Sequence, residues 1–376
     1  MTIGIITMHR VPNMGSVLQA YALQHTINQL GYRATIIDYV FPQKKLIPLH
    51  IRALRWGLDL LKGRPNHKKR GKLNEFISSH LFLTRKYNNA EELKADPPIF
   101  DIYCTGSDQV WNPMHIGNDM TFFLDFVPDS SPKISYASSF ALDSIPKEYY
   151  SRFSSYLSKY TSITVREDSG INIIRTLINK NVLSVCDPTL LLKNEEWLSL
   201  ADHKTHPIKG AYILVYIVGY MYNPRPAVYR IINEVKKGIG IPVYFFDGGV
   251  SDLVNGFTHL IKGVGPYDLI YYIKNASFVI TDSFHGSVFS TLFSIPMIAL
   301  INDKNRDSRI TDLRRNVNGD RSLIPYDKVL CFNHDYQTYY NCDPLLVERL
   351  RFDSISTLQR IIDDASAHLN SNSLGE

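Results

Sequence analysis

The sequence lacks most of the signatures that announce a common chemistry. No stretch approaches the roughly 20 consecutive apolar residues a membrane span needs. The opening Met1-Thr2-Ile3-Gly4-Ile5-Ile6 has no basic leader, and its apolar run is only a strand's length, so it does not read as a signal peptide. The four cysteines, Cys104, Cys186, Cys331 and Cys342, are scattered, with no CxxC pair and no histidine at zinc spacing. That excludes a disulfide framework and a zinc module, and it predicts a reduced, cytosolic protein with Cys104 and Cys186 as core thiols. No GxGxxG follows the first apolar strand and no GxxxxGK[ST] occurs anywhere, which leaves the nicotinamide and P-loop readings weak. The histidines form no metal-spaced cluster, and no metal is expected. Charge of one sign is missing too. Forty-one Lys and Arg stand against 36 Asp and Glu, a net +5. This excess suits a small anionic ligand or an anionic lipid surface, and no nucleic-acid partner is expected.

What is present is an ordinary globular composition, 44% hydrophobic and 20% charged over 376 residues, enough for about two domains. Ile3–Met8 reads as a strand, followed by a polar loop over 9–15 and a helix opened by Ser16. Ser16 and Gln19 suggest a capping box, and Gly31 a stop before the strand Ala34–Tyr39. Strand, helix, strand in this order implies a parallel sheet with a right-handed crossover. Further strands are expected at Phe100–Thr105, Ile134–Ser138, Ser162–Arg166 and Val182–Cys186. A polar linker over 200–210 precedes a second set at Tyr212–Val218, Val243–Phe246, Phe278–Thr281 and Met297–Ile301. Residues 343–369 read as one or two amphipathic helices. The fold class is therefore α/β, with two Rossmann-like domains facing across a cleft and a C-terminal helical tail. The expected divisions are 1–205, 206–330 and a tail over 331–376 that packs back on the N-terminal domain. Residues 44–72 interleave leucines and isoleucines with Lys44, Lys45, Arg52, Arg55, Lys62, Arg64 and more lysines. A solvated insertion with one packed face is the favoured reading. The alternative is a basic amphipathic patch making peripheral contact with the cytoplasmic face of a membrane.

Open α/β sheets bind ligands beyond the carboxyl ends of their strands, so the residues just after each strand matter most. They are Asn13-Met14-Gly15-Ser16, Gly106-Ser107-Asp108-Gln109, Ser138-Ser139, Arg166-Glu167-Asp168, Asp187-Pro188-Thr189, Asp247-Gly248-Gly249, Asp282-Ser283-Phe284-His285-Gly286-Ser287, and Asn302 to Arg306 with Arg309 beyond. Helix N-termini at Ser16 and Ser287 favour an anion, and Arg166 and Arg309 can fork onto carboxylate or phosphate oxygens. Together they predict a small, strongly anionic ligand. Each also has a plain structural reading. Ser107-Asp108 suits an N-cap, Trp111 a packing residue, Asp168 a helix cap, Asp187-Pro188 a turn, and Arg166 a pair with Glu167. His285 stands apart, because a strand-end loop beside a glycine that admits close backbone approach is a poor place for a core histidine.

Five motifs, in order over residues 3 to about 315, resemble the polysaccharide pyruvyl transferases. They are Asn13-x-Gly15 through Leu23, Gly106–Pro113, the strand ending in Arg166-Glu167, Cys186–Thr189, and above all Thr281–Ser287. The resemblance implies a GT-B-like fold. It also implies transfer of pyruvate from phosphoenolpyruvate to a sugar as a ketal, in capsule, exopolysaccharide or cell-wall assembly, with a lipid-linked or polymer-bound acceptor and no cofactor. On that reading His285 is the general acid or base and Arg166 binds the donor's carboxylate or phosphate. Lys304 and Arg309 assist with the same anion. Asn13, Gly15, Ser107, Asp108 and Gln109 form the opposing wall that orients the acceptor, and Ser16, Ser283, Gly286 and Ser287 are further substrate-binding residues. The rival readings are a GT-B glycosyltransferase using a nucleotide sugar and a non-catalytic sugar-binding protein on the same fold.

Overall fold

The computed structural model describes residues 1–42, 65–201, 207–219, 227–246, 259–302, 308–326, 338–339 and 342–373. Lys304, the loop 247–249 and most of the basic segment 44–72 lie outside the described residues. The chain divides into two compact units. Unit 1 comprises Met1–Pro42, Ile77–Leu192 and Glu348–Glu376; unit 2 comprises Gln43–Phe76 and Lys193–Val347.

The first unit runs β1 (Thr2–Ile6), α1 (Met14–Gln29), β2 (Arg33–Tyr39), α2 (Pro65–His80, shared with the second unit), β3 (Leu83–Tyr87) and α3 (Ala90–Ala95). It continues with β4 (Ile102–Thr105), α4 (Pro113–Ile116), β5 (Lys133–Ser138), α5 (Tyr150–Leu157), β6 (Ser162–Val165), α6 (Asp168–Ile178) and β7 (Leu183–Ser184). Its seven strands are ordered β3-β2-β1-β4-β5-β6-β7, and every pairing is parallel. The strand order reverses between β1 and β4, which is where a doubly wound sheet opens a crevice. α1 is buried on nearly every face, with Val17, Leu18, Ala20, Ala22, Leu23 and Ile27 inaccessible to solvent, because it packs on β2 and on the turn Pro188–Leu190. Trp111 is also fully buried, stacked on Phe123 at 5.6 Å, and is a packing residue.

The second unit runs α7 (Asn194–Ala201), β8 (Ile213–Tyr216), α8 (Ala227–Ile239), β9 (Val243–Phe246), β10 (His259–Ile261) and α9 (Pro266–Lys274). Then come β11 (Phe278–Thr281), α10 (Phe284–Leu292), β12 (Met297–Ile301), α11 (Ser308–Asn316) and β13 (Leu323–Pro325). Six parallel strands are ordered β10-β9-β8-β11-β12-β13, so the switch point lies between β8 and β11. The first part of α2 packs here. Lys72 donates to Asp268 at 2.6 Å, and the Phe76 and Tyr267 rings lie 5.2 Å apart.

The C-terminal segment is one helix, α12 (Pro344–Ser373). It is tied to unit 1 where Arg351 Nε donates to the Leu190 carbonyl (2.7 Å) and Ser354 Oγ accepts from Cys186 N–H (3.0 Å). No helix among the described residues is long and apolar enough to cross a membrane.

Candidate functional site

In unit 1 the switch-point loops are knitted together by buried polar groups. Asn13 caps α1, its side chain accepting from Gly15 N–H at 2.9 Å. The expected Ser16–Gln19 capping box does not form, because the helix starts two residues earlier. Ser16 lies inside the first turn and its hydroxyl donates instead to Asp108 Oδ2, while Gln19 Nε2 donates to Thr7 Oγ1 and to the Ser16 carbonyl, both at 2.8 Å. Asp108 holds a left-handed backbone (φ 81°), a conformation that short polar side chains tolerate best. Its other carboxylate oxygen accepts from Gln109 N–H at 2.8 Å, and its carbonyl accepts from Ser139 N–H at 3.0 Å. It therefore caps no helix; Asn112 caps α4 instead. The Gln109 side chain accepts from Asn112 Nδ2 at 3.2 Å within this turn.

Arg166, just past β6, is almost wholly buried. Its Nη1 donates to Asp187 Oδ2 (2.8 Å) and to Ser107 Oγ (3.4 Å), and Ser107 Oγ donates to the same carboxylate oxygen (3.1 Å). Asp187 is fixed on its far side by the Thr189 N–H (3.0 Å) and hydroxyl (2.7 Å). Glu167 is fully buried with Oε2 3.9 Å from Arg166 Nε, and its Oε1 accepts from Ser139 Oγ, Phe140 N–H and Ala141 N–H at 2.8, 3.0 and 3.0 Å. Glu167 precedes α6 in an extended conformation, and Asp168 opens the helix without capping it, contrary to the cap expected at Asp168.

In unit 2 the loops after β8 and β11 meet. Asp282 accepts from the Val218 and Gly219 N–H groups at 2.6 and 2.8 Å, which ties the two strand ends together. Ser283 caps α10, its hydroxyl accepting from Gly286 N–H at 3.2 Å. Gly286 meets a packing requirement. A Cβ there would lie 2.5 Å from Thr281 Oγ1 and 3.1 Å from Tyr216 Cδ1, so the glycine lets the helix seat on the strand ends. Ser287 lies one residue further along the same turn. Its N–H (2.9 Å) and hydroxyl (3.2 Å) both go to the Ser283 carbonyl, so it serves the helix itself. His285 and Arg309 are both nearly buried and share one neighbour, the Phe284 ring. The imidazole lies edge-on at 5.2 Å and the guanidinium carbon 5.8 Å from the centroid. Beneath them burial pushes the Tyr216 phenol up to about 12, opposed by a hydrogen bond with Ser283, so it stays neutral. An imidazole and a guanidinium beside a helix N-terminus can hold an anion and move a proton next to it.

A profile of the polysaccharide pyruvyl transferases matches residues 13–304. The chain belongs to the polysaccharide pyruvyl transferase family. No curated protein matches it. Among solved structures, it resembles a Neisseria meningitidis UDP-GlcNAc 2-epimerase bound to UDP-GlcNAc, at 9% identity with a TM-score of 0.55, covering 96% of this chain and 99% of that one. A UDP-N-acetylglucosamine 2-epimerase from Rickettsia bellii gives a TM-score of 0.55 at 9% identity, over 100% and 99% of the two chains. These likenesses show the fold alone, which is GT-B-like.

Each unit of this pyruvyl transferase family member therefore gathers part of the expected set. Unit 1 brings together Asn13, Gly15, Ser16, Ser107, Asp108, Gln109 and Arg166. Unit 2 brings together Ser283, His285, Gly286 and Arg309. Among the described residues no group of three or more His, Cys, Asp or Glu could hold a metal. Sequence reasoning passed over Thr7, His9, Arg10 and Asp38. The signal was available: three of them directly follow the first strand, and Asp38 is a lone acid in the apolar run Ala34–Tyr39, where burial demands a partner.

Proposed function

We propose that this chain transfers the pyruvyl unit of phosphoenolpyruvate to a sugar as a cyclic ketal and releases inorganic phosphate. The observation that carries the reading is that His285 and Arg309 both lie beside the Phe284 ring at the first turn of α10. A donor bearing both a carboxylate and a phosphate matches a cation, an imidazole and the positive end of a helix dipole. One sugar hydroxyl adds to C2 of the donor while C3 takes a proton from His285, and the proton of that hydroxyl returns to the imidazole. A second hydroxyl then displaces phosphate from C2, and its own proton leaves with the phosphate. Arg309 neutralises the leaving phosphate, with Lys304 as a further cation. In unit 1, Arg166, its guanidinium held at the end of β6 by Asp187, is the cation for a substrate anion. Ser16, Ser107 and Asp108 form the wall that orients the acceptor, with Asn13, Gly15 and Gln109 shaping its edge. The acceptor class is a lipid-linked or polymer-bound sugar of capsule or exopolysaccharide assembly, handled at the cytoplasmic membrane face.

The test is incubation of the full chain with phosphoenolpyruvate and a panel of lipid-linked saccharides, followed by phosphate assay and mass spectrometry. Phosphate released only with an acceptor, together with the pyruvate mass increment on that acceptor, supports the proposal. Tight UDP or GDP binding with no phosphate release from phosphoenolpyruvate contradicts it and favours a nucleotide-sugar transferase.

A further inference from the structure

Thr7, the residue after β1, joins three elements. Its hydroxyl donates to the Ser107 carbonyl at 2.9 Å and accepts from Gln19 of α1 at 2.8 Å. Its own carbonyl lies 3.2 Å from His9 Nδ1. The opposite ring nitrogen, Nε2, lies 3.1 Å from Asp38 Oδ1, and Arg10 closes on both oxygens of that carboxylate, Nε to Oδ1 at 2.7 Å and Nη2 to Oδ2 at 2.5 Å. The His9 side chain is inaccessible to solvent and that of Asp38 is 5% exposed, while the Arg10 side chain is 25% exposed. A carbonyl and a carboxylate only accept, so the ring satisfies both only with a proton on each nitrogen. The carboxylate is then shared by two donors at the end of β2, and the cluster reaches the switch point through one threonine.

Nothing in this cluster belongs to the donor site, and its connections run toward the acceptor wall. We propose that His9, Asp38 and Arg10 form a positioning clamp. They fix the Thr7 carbonyl, Thr7 fixes the Ser107 backbone, and Ser107 sets Asp108 and its Ser16 partner. The inference rests on the reading of Ser16, Ser107 and Asp108 as the wall that orients the sugar. Arg166 shares one long contact with this relay, the Ser107 hydroxyl at 3.4 Å, while its closer partner Asp187, at 2.8 Å, is held independently by Thr189. Loosening the clamp therefore disturbs the acceptor far more than the donor.

The experiment compares Asp38→Asn, Thr7→Val and Thr7→Ser in the full chain, assayed with phosphoenolpyruvate and a sugar acceptor that the parent chain pyruvylates. Asp38→Asn and Thr7→Val should raise the acceptor KM roughly 10–100-fold, the scale of a small misplacement of substrate, with the donor KM changed by less than about twofold. Thr7→Ser keeps the hydroxyl and should restore the acceptor KM. An unchanged acceptor KM in Thr7→Val, or an equal rise in both KM values, overturns the clamp and leaves a fold staple. Nitrogen-15 NMR of His9 reads the same claim without turnover. Two ring N–H signals are expected in the parent chain, and loss of the Nε2 signal in Asp38→Asn. A singly protonated ring in the parent chain overturns the proposal. Should the parent chain release no phosphate from phosphoenolpyruvate, the proposed function fails, and the NMR result still decides whether the clamp exists.

Discussion

Units 1 and 2 share one strand order yet finish their strand ends in opposite ways. At the carboxyl edge of unit 1 the charged groups are joined in small sets, Arg10 with Asp38, Arg166 with Asp187 and Glu167, and Asp108 with the Ser16 hydroxyl, and most of them are buried. At the edge of unit 2, His285 on α10 and Arg309 on α11 lie beside the same Phe284 ring, and the carboxylate of Asp282 is hydrogen-bonded to backbone. The difference is one of purpose. Buried charges paired in this way hold geometry, since separating them leaves an uncompensated charge. A helix N-terminus with an imidazole and a guanidinium close by adds positive potential to that strand edge. On the proposed function, the first set fixes substrate groups in place and the second supplies a proton and a cation for the leaving phosphate.

Several substitutions would break or sharpen this contrast. The largest effect is expected of His285→Ala, which should cut phosphate release from phosphoenolpyruvate by about 10²–10⁴-fold, the usual worth of a general acid or base, with the thermal midpoint little changed. Next is Arg166→Ala, which strips the cation from buried Asp187 and Glu167. Removing one member of a buried pair costs about 3–5 kcal/mol, measurable by chemical denaturation, and the loss should exceed that of Arg309→Ala. Gly286→Ala follows. A methyl group 2.5 Å from Thr281 Oγ1 forces α10 off the strand ends, an overpacking cost of about 1–3 kcal/mol, visible in the denaturation midpoint and in weakened donor binding by calorimetry. The smallest effect is expected from pH. Burial opposes ionisation of Asp38, but the hydrogen bonds and charges of His9 and Arg10 outweigh it and hold its carboxyl well below the usual carboxylate range. A group whose folded pKa is depressed stabilises the fold above its unfolded value, about 3.9 for Asp, and loses that contribution as pH falls through the folded value. Denaturation midpoints of the parent chain should therefore fall in acid, and Asp38→Asn should flatten that part of the profile.

The framework was legible because buried parallel strands are short, apolar and regularly spaced. Val243–Phe246, Phe278–Thr281 and Met297–Ile301 coincide with the strands expected from their apolar runs. The strands that escaped are at sheet edges. β3 is Leu-Thr-Arg-Lys-Tyr with its two charges exposed, β10 has only three residues, and β13 ends in Pro325. Edge strands bury one side at most, so their sequences carry little apolar pattern. Polar roles were harder to read than positions. Arg166 was expected at a strand end and is there, but its pairing with Asp187, 21 residues on, is set by strand order and leaves no local trace. Ser16 looked like a cap by spacing, yet Asn13 took that role and freed Ser16 for Asp108, 92 residues away. Ser287 looked like an anion donor by its place near a helix start, and the true start one turn earlier turned its N–H inward.

The most direct measurement is the reaction run in deuterated water with phosphoenolpyruvate and a lipid-linked sugar acceptor, product and phosphate quantified together. The account predicts one phosphate released per pyruvate retained, and one solvent deuterium in the ketal methyl group, with both lost in His285→Ala. Full product formation by His285→Ala, or a product lacking the methyl deuterium, would contradict it.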